Sequence, residues 1–308
     1  MNTRNRTSLA PEDYVEPRCL LCDEPYGKTP EVKSIPQQRI IQKMDAYMSR
    51  RDYAGAERHL QYWLEEARLG HDERGELLIH NELIGHYRKV GNREAALRNV
   101  EDALALLKKL DFEHTVSGGT TYVNAATACN AFGENERAME LFEKARAVYE
   151  AGEAHGTGET YREEETDRTT ISVMPTARAS PALLGGLYNN MALTCVCLGR
   201  FEEAEEFYHK ALEKMGQVPG GELEQAITYL NMADAAVAKE GMEQSESRVY
   251  ECLDHAYELL TGTEAPRDGY YAFVCEKCAP VFDHYGYFAA AQELMECSRR
   301  IYEQGAGN

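Results

Sequence analysis

The stretch NNMALTCVCLGRFEEAEEFYHKAL, residues 189–212, carries the pattern that decides the fold. Ala204 follows Gly199 by five residues, Tyr208 comes four residues later, and Ala211 three residues after that. Small residues let two crossing helices approach closely, and a glycine tolerates the left-handed backbone at which a helix ends. The spacing therefore predicts two helices that are joined by a turn at the glycine.

The same pattern recurs along the chain, with Gly91, Gly133 and Gly286 at the turn of three further copies. Two copies are degenerate, since Arg51 takes the place of the glycine in the first and Gly241 falls one residue late in the fifth. No copy can bury its apolar stripe alone, so we expect the copies to stack. The small or apolar residues seven before each turn are Ile84, Ala126, Ala192, Ala233 and Ala279.

These residues resemble the tetratricopeptide repeat (TPR), and the copy at 189–212 looks like the long repeats of kinesin light chain. The resemblance covers roughly residues 35–303. It implies an all-α solenoid of about six helix hairpins in a right-handed superhelix, and a binding module rather than an enzyme. In this family the first helix of each hairpin lines the concave face, where a segment of a partner lies.

The regions outside the repeats are predicted from composition and spacing. Residues 1–34 and 304–308 are expected to be tails. Gly199 follows Gly133 by 66 residues, whereas Gly133 follows Gly91 by 42. The excess predicts an inserted loop at about 151–181, which is either a lid over the concave face or a plain surface loop.

Charge and composition exclude several classes of function. The chain has 33 Lys and Arg against 52 Asp and Glu, a net charge of −19, which disfavours nucleic acid and favours neutral or basic partners. We see no apolar stretch of membrane-spanning length, no secretion signal and no catalytic or cofactor motif. We therefore expect a cytoplasmic protein without cofactor, membrane association or enzymatic activity.

Asparagines mark the predicted binding face. Asn124, Asn190 and Asn231 each stand two residues before the small residue of their copy, Asn81 is one residue off the equivalent place, and Asn189 precedes Asn190. An amide donates and accepts hydrogen bonds at once, which suits a peptide backbone. The resemblance to kinesin light chain and to bacterial peptide-sensing TPR receptors implies this use for Asn124, Asn190 and Asn231. The alternative is that these amides bond within their own repeats and serve packing.

Five further residues are predicted on the same face. Arg88 and Lys89 could fix a carboxylate of the partner, or they could be no more than a solvated helix end. The carboxylate clamp of chaperone-binding TPR proteins is disfavoured, because Gly186 and Asn190 stand where it needs a lysine and an arginine. The remaining residues are Thr127, Asn130 and Asp234.

Two alternatives to an adaptor stay open. A small-peptide sensor would need an output domain, which the sequence does not show. A zinc protein would use the pairs Cys19/Cys22 and Cys275/Cys278, although the second pair falls at helix packing positions and is expected to be core.

The last copy is unusually aromatic, which suggests either a homodimer through this end or aromatics buried within their own repeat. The residues are Tyr270, Tyr271, Phe273, Phe282, Tyr285, Tyr287 and Phe288.

Overall fold

A computed structural model describes residues 31–154, 179–262 and 267–306. Within these ranges the chain forms twelve helices and no strand. Odd-numbered helices, here A helices, alternate with even-numbered B helices in six hairpins. The all-α prediction is confirmed, while the handedness of the superhelix stays a prediction. The helices are α1 (Gln37–Ser49), α2 (Tyr53–Leu69), α3 (Glu73–Lys89), α4 (Arg93–Lys109), α5 (Val116–Ala131), α6 (Asn135–Ala154), α7 (Pro181–Cys197), α8 (Phe201–Met215), α9 (Glu222–Glu240), α10 (Met242–Thr261), α11 (Gly269–His284) and α12 (Phe288–Ala306).

Several predictions fall largely or wholly outside the described residues. Most of the predicted N-terminal tail, with Cys19 and Cys22, precedes residue 31, and most of the predicted loop lies in 155–178. The domain boundaries therefore stay predictions. At the edges of these regions, α6 extends to Ala154 and α12 to Ala306.

The turns confirm the role predicted for the glycines. The φ angle of Gly199 is +71°, and those of Gly91, Gly133 and Gly286 are also positive. Behind Gly199, the N–H of Arg200 donates to the carbonyl of Cys195 over 2.9 Å, which closes the end of α7. Arg51 adopts a φ of +55° at the equivalent place, so the degenerate copy makes the same turn without a glycine.

The chain divides into two compact units, residues 1–79 and 80–308. The described part of the first unit contains α1, α2 and the start of α3. In this unit the N–H of Ile35 donates to the carboxylate of Asp72 over 2.8 Å, and that of Lys33 donates to the carbonyl of Gly70. The residues ahead of α1 are thereby held to the turn between α2 and α3.

In the second unit the A helices contact one another in chain order, α5 with α7, α7 with α9 and α9 with α11. B helices also contact the A helix that follows, as α4 does α5, α6 does α7 and α8 does α9. This arrangement is the stacking that the repeats predict, and it buries the residue expected at each helix crossing. Those residues are Ile84, Ala126, Ala192, Ala233 and Ala279.

Ion pairs connect successive hairpins of the second unit. Arg200 pairs with Glu136 over 3.0 Å, and Arg93 pairs with Glu134 over 2.5 Å. Glu202 of α8 pairs with Lys239 of α9 over 3.0 Å, and Glu205 pairs with Arg248 of α10 over 2.7 Å.

Candidate peptide-binding face

The predicted site residues lie on one side of the A helices in the second unit, on α3, α5, α7 and α9. We call this side, together with the matching side of α11, the A-helix face. Asn124, Asn190 and Asn231 are half-buried there, one on each of three successive A helices, and each precedes the fully buried crossing residue by two positions. The structure thus places the three amides at equivalent points of neighbouring hairpins.

Two hydrogen bonds between asparagines join neighbouring A helices. The amide nitrogen of Asn124 donates to Oδ1 of Asn81 over 3.1 Å, and the amide nitrogen of Asn81 donates to Oγ1 of Thr121 over 3.0 Å. In the same way, the amide of Asn231 donates to Oδ1 of Asn189 over 3.1 Å. In each pair the acceptor stands one hairpin earlier in the chain.

Asn190 differs from the other two because its expected partner is not polar. The residue of α5 equivalent to Asn81 and Asn189 is Val123, which has no hydrogen-bonding side chain. Among the described residues, the Asn190 amide makes no hydrogen bond. The half-buried amide of Asn190 therefore lies between two hydrogen-bonded asparagine pairs, and its own donors and acceptor are not used by the described residues.

The other predicted residues of α5 and α9 have varied surroundings. Thr127 donates its hydroxyl to the carbonyl of Val123 over 2.7 Å within its own helix. Oδ1 of Asn130 is buried and accepts no hydrogen bond from the described residues. Asp234 accepts a 2.6 Å hydrogen bond from the hydroxyl of Tyr285. Burial first, and the Asp234 carboxylate second, raise the pKa of Tyr285 above its ordinary value.

A cationic cluster forms where α3 and α11 face each other. Nζ of Lys89 lies 6.0 Å from the centre of the Phe273 ring, and Nζ of Lys277 lies 5.8 Å from the same centre. In this unit α3 is the first A helix and α11 is the last. The contact between Lys89 and Phe273 therefore means that the A-helix face curves between these two helices. Arg88 is exposed, partial desolvation lowers its pKa, and no described carboxylate pairs with it.

Sequence reasoning missed the contribution of α11. The ring of Tyr270 stacks on that of Phe273 at 6.3 Å, and its hydroxyl donates to Glu224 of α9 over 2.7 Å. The signal was present, because Lys277 precedes the crossing residue Ala279 by two, the position that Asn124 holds in its own copy.

Cys275 and Cys278 are buried, as predicted for packing residues. Burial raises the pKa of each thiol to about 12. Within the described residues, no group of three or more His, Cys, Asp or Glu could hold a metal ion.

The sequence model of the tetratricopeptide repeat family matches residues 75–151 and 183–258. This chain is a tetratricopeptide repeat protein. The matched ranges contain the turns at Gly91, Gly133 and Gly199, so the resemblance drawn from these residues is confirmed. No curated protein matches the TPR chain significantly.

Three solved structures are among those to which this chain is similar. NprR in complex with its cognate peptide NprX has a TM-score of 0.51 at 13% identity, over 88% of this chain and 69% of that one. A putative kinesin light chain with nearly identical TPR-like repeats from Podosopora anserina gives 0.46 at 19%, over 77% and 99%. BtubC from P. vanneervenii gives 0.42 at 17%, over 89% and 94%. At these identities the likeness concerns the fold alone.

None of the described helices combines the length and the apolar character that crossing a membrane requires. The TPR fold supports a role as a protein-binding adaptor, and TPR proteins are typically scaffolds rather than enzymes.

Proposed function

We propose that this TPR protein is a non-enzymatic adaptor that holds a peptide, or an extended segment of a partner protein, against the A-helix face. The observation that carries the proposal is the Asn190 amide, which is half-buried and makes no hydrogen bond in the described chain. Water still reaches this amide, so its N–H groups and Oδ1 can exchange water for the backbone groups of a ligand.

The flanking asparagines extend the same chemistry along the ligand. Asn124 and Asn231 each use one N–H in the bond to the preceding hairpin. Each keeps its Oδ1 and a second N–H, so each can still accept from a peptide N–H and donate to a peptide carbonyl. A ladder of such amides binds backbone groups and does not depend on the side chains of the ligand.

Charge indicates the kind of ligand. The net charge of −19 favours a neutral or basic segment. Arg88, Lys89 and Lys277 provide one place on the face where a carboxylate of such a segment would be accommodated. The cytoplasm is the compartment we propose, because the seven described cysteines are free thiols and thiols persist in reducing compartments.

A small-peptide sensor is the second candidate, and one comparison favours it. NprR, which shares the fold, was solved with its cognate peptide NprX. A sensor would bind a free peptide through the same face, so the two functions differ in the ligand rather than in the site. Zinc binding through Cys275 and Cys278 is disfavoured because both side chains are packed in the core. Elemental analysis of the purified protein tests it.

Affinity capture from the lysate of the native host tests the adaptor function, with wild type, Asn190→Ala and Gln304→Ala as baits. Gln304 is an exposed amide on α12 outside the A-helix face, so its variant is a matched control. We expect mass spectrometry to find a partner that wild type and Gln304→Ala retain and Asn190→Ala loses. Equal recovery by all three baits would place the binding surface elsewhere.

A further inference from the structure

The outer side of α12 carries a line of exposed apolar side chains. Phe288, Met295 and Tyr302 are exposed to 67%, 46% and 44%. They are spaced seven residues apart, so they fall two turns apart on one side of the helix. We call these three residues the α12 stripe.

The B helices α4, α6, α8 and α10 bury the residues equivalent to Met295 and Tyr302. Met295 follows the turn glycine by nine residues and Tyr302 by sixteen, counting from Gly286. The residues equivalent to Met295 are Val100, Phe142, Tyr208 and Val249, and those equivalent to Tyr302 are Leu107, Tyr149, Met215 and Ala256. All eight are buried.

The next A helix covers that position in the internal hairpins, as α5 packs on α4, α7 on α6 and α9 on α8. On α12 the side chains at these positions, Met295 and Tyr302, are apolar and exposed. The α12 stripe therefore resembles, at these two positions, the stacking surfaces of the earlier B helices.

The remaining aromatics of the last hairpin do not supply this surface. Tyr271 and Phe282 are fully buried. Tyr285 and Tyr287 are half-buried, and their hydroxyls donate to Asp234 and Asp254. Tyr270 and Phe273 are exposed to 48% and 38%, but they lie on α11 at the A-helix face. On the outer side of α12 the exposed aromatics are Phe288 and Tyr302.

We propose that a second copy of this chain covers the α12 stripe, with the two α12 helices antiparallel about a two-fold axis at Met295. The stripe has an aromatic side chain seven residues away on each side of Met295, so a two-fold axis there brings an aromatic ring of one copy against an aromatic ring of the other. Phe288 of each copy then packs against Tyr302 of the other, and the two flexible Met295 side chains meet at the centre.

The polar residues beside the stripe suit the same arrangement. Gln292 lies three residues before Met295 and Arg299 four residues after it, and both are exposed. In the antiparallel pair Gln292 of one copy faces Arg299 of the other, so an amide oxygen meets a guanidinium donor. No like charges therefore face each other where Gln292 of one copy meets Arg299 of the other.

Light scattering during size-exclusion chromatography at micromolar concentration tests the proposal. We expect wild type to have twice the chain mass of 34.7 kDa and Met295→Glu to have the single-chain mass. Ala289→Glu is the control, because Ala289 is exposed on another side of α12 and the charge change is the same. Circular dichroism with thermal unfolding shows whether Met295→Glu is folded.

A wild-type monomer, or a dimer that Met295→Glu leaves intact, overturns the proposal. If Met295→Glu fails to fold, the cysteine variants that follow decide in its place.

Cysteine cross-linking tests the arrangement in a background in which Cys19, Cys22, Cys197 and Cys297 are replaced by serine. We expect Met295→Cys to form a disulfide between copies under mild oxidation, and Ala289→Cys to form none, because a disulfide needs the two Cβ atoms close together. A mixture of Phe288→Cys and Tyr302→Cys chains should give linked 288–302 peptides by mass spectrometry. Linked 288–288 peptides, or no link at residue 295, would contradict the antiparallel pair.

Discussion

At the scale of single residues, the three equivalent asparagines have different surroundings although they occupy the same point of their repeats. Asn124 and Asn231 bond to an asparagine of the preceding hairpin. At the equivalent position of the hairpin before Asn190 stands Val123, whose side chain cannot form a hydrogen bond.

The stability of single alanine variants should show this difference. Asn124→Ala and Asn231→Ala each remove a hydrogen bond between hairpins, so we expect each to lower the free energy of unfolding by about 1 kcal/mol. Asn190→Ala removes no bond among the described residues and should leave it nearly unchanged. Urea unfolding followed by circular dichroism measures all three.

Equal losses for the three variants would show that Asn190 has a structural role after all. The same reasoning changes what is expected of the variant in which Asn124, Asn190 and Asn231 are all replaced by alanine. From the sequence alone, that variant should lose binding with its melting temperature nearly unchanged. The structure instead predicts a loss of stability from two of its three substitutions, which makes Asn190→Ala the cleaner test of binding.

Much at this scale was predictable, because turn glycines and crossing residues follow local rules. The positive φ angles of Gly91, Gly133 and Gly199 need only the sequence pattern. The asparagine pairs depend on which residues meet across two hairpins. Asn81 and Asn124 are 43 residues apart, and Asn189 and Asn231 are 42 apart, about one repeat length, so the signal existed in the spacing.

At the scale of elements, the last hairpin is held to the one before it by tyrosine hydroxyls. Tyr270 and Tyr285 of the α11 region donate to Glu224 and Asp234 of α9, and Tyr287 donates to Asp254 of α10. A hydrogen bond to a charged acceptor is stronger than a neutral one, so these contacts contribute to docking of the hairpin. An aromatic-rich sequence predicts burial but not these carboxylate partners.

Replacing Tyr285 with phenylalanine should loosen this hairpin selectively. Loss of the bond to Asp234 at this half-buried site is expected to cost about 1 kcal/mol, which would speed amide exchange in α11 and α12 roughly fivefold and leave α7 and α8 unchanged. Hydrogen exchange with mass spectrometry makes the comparison within one sample. Uniform acceleration throughout the second unit would mean that the hairpin does not open separately.

The same contact gives a pH dependence. The pKa of Tyr285 is raised in the folded protein by burial and by Asp234, so the unfolded chain loses its proton first as the pH rises. The stabilisation is complete below about pH 10, the ordinary tyrosine pKa, and falls above it. Tyr285→Phe should therefore reduce the loss of stability seen in wild type at high pH.

At the scale of the whole molecule, the A-helix face of the second unit combines polar amides in the middle with a cationic end. The position of Lys89 beside Phe273 could not be predicted from the sequence, because it depends on small angles between hairpins that accumulate from α3 to α11. The repeat pattern gives the stacking order, whereas the curvature comes from the packing of each hairpin on the next.

The central claim is that Asn190 binds the backbone of an extended ligand. The most direct measurement uses the segment captured by wild type, synthesised as a peptide and methylated at one backbone nitrogen at a time. Titration calorimetry of wild type and Asn190→Ala with this series gives the coupling between each peptide N–H and the amide.

We predict that one methylated position weakens binding to wild type about tenfold, or 1.4 kcal/mol, and has little effect on the already weaker binding of Asn190→Ala. If every methylated peptide loses the same affinity with both proteins, Asn190 does not contact the backbone of the ligand and the account is wrong.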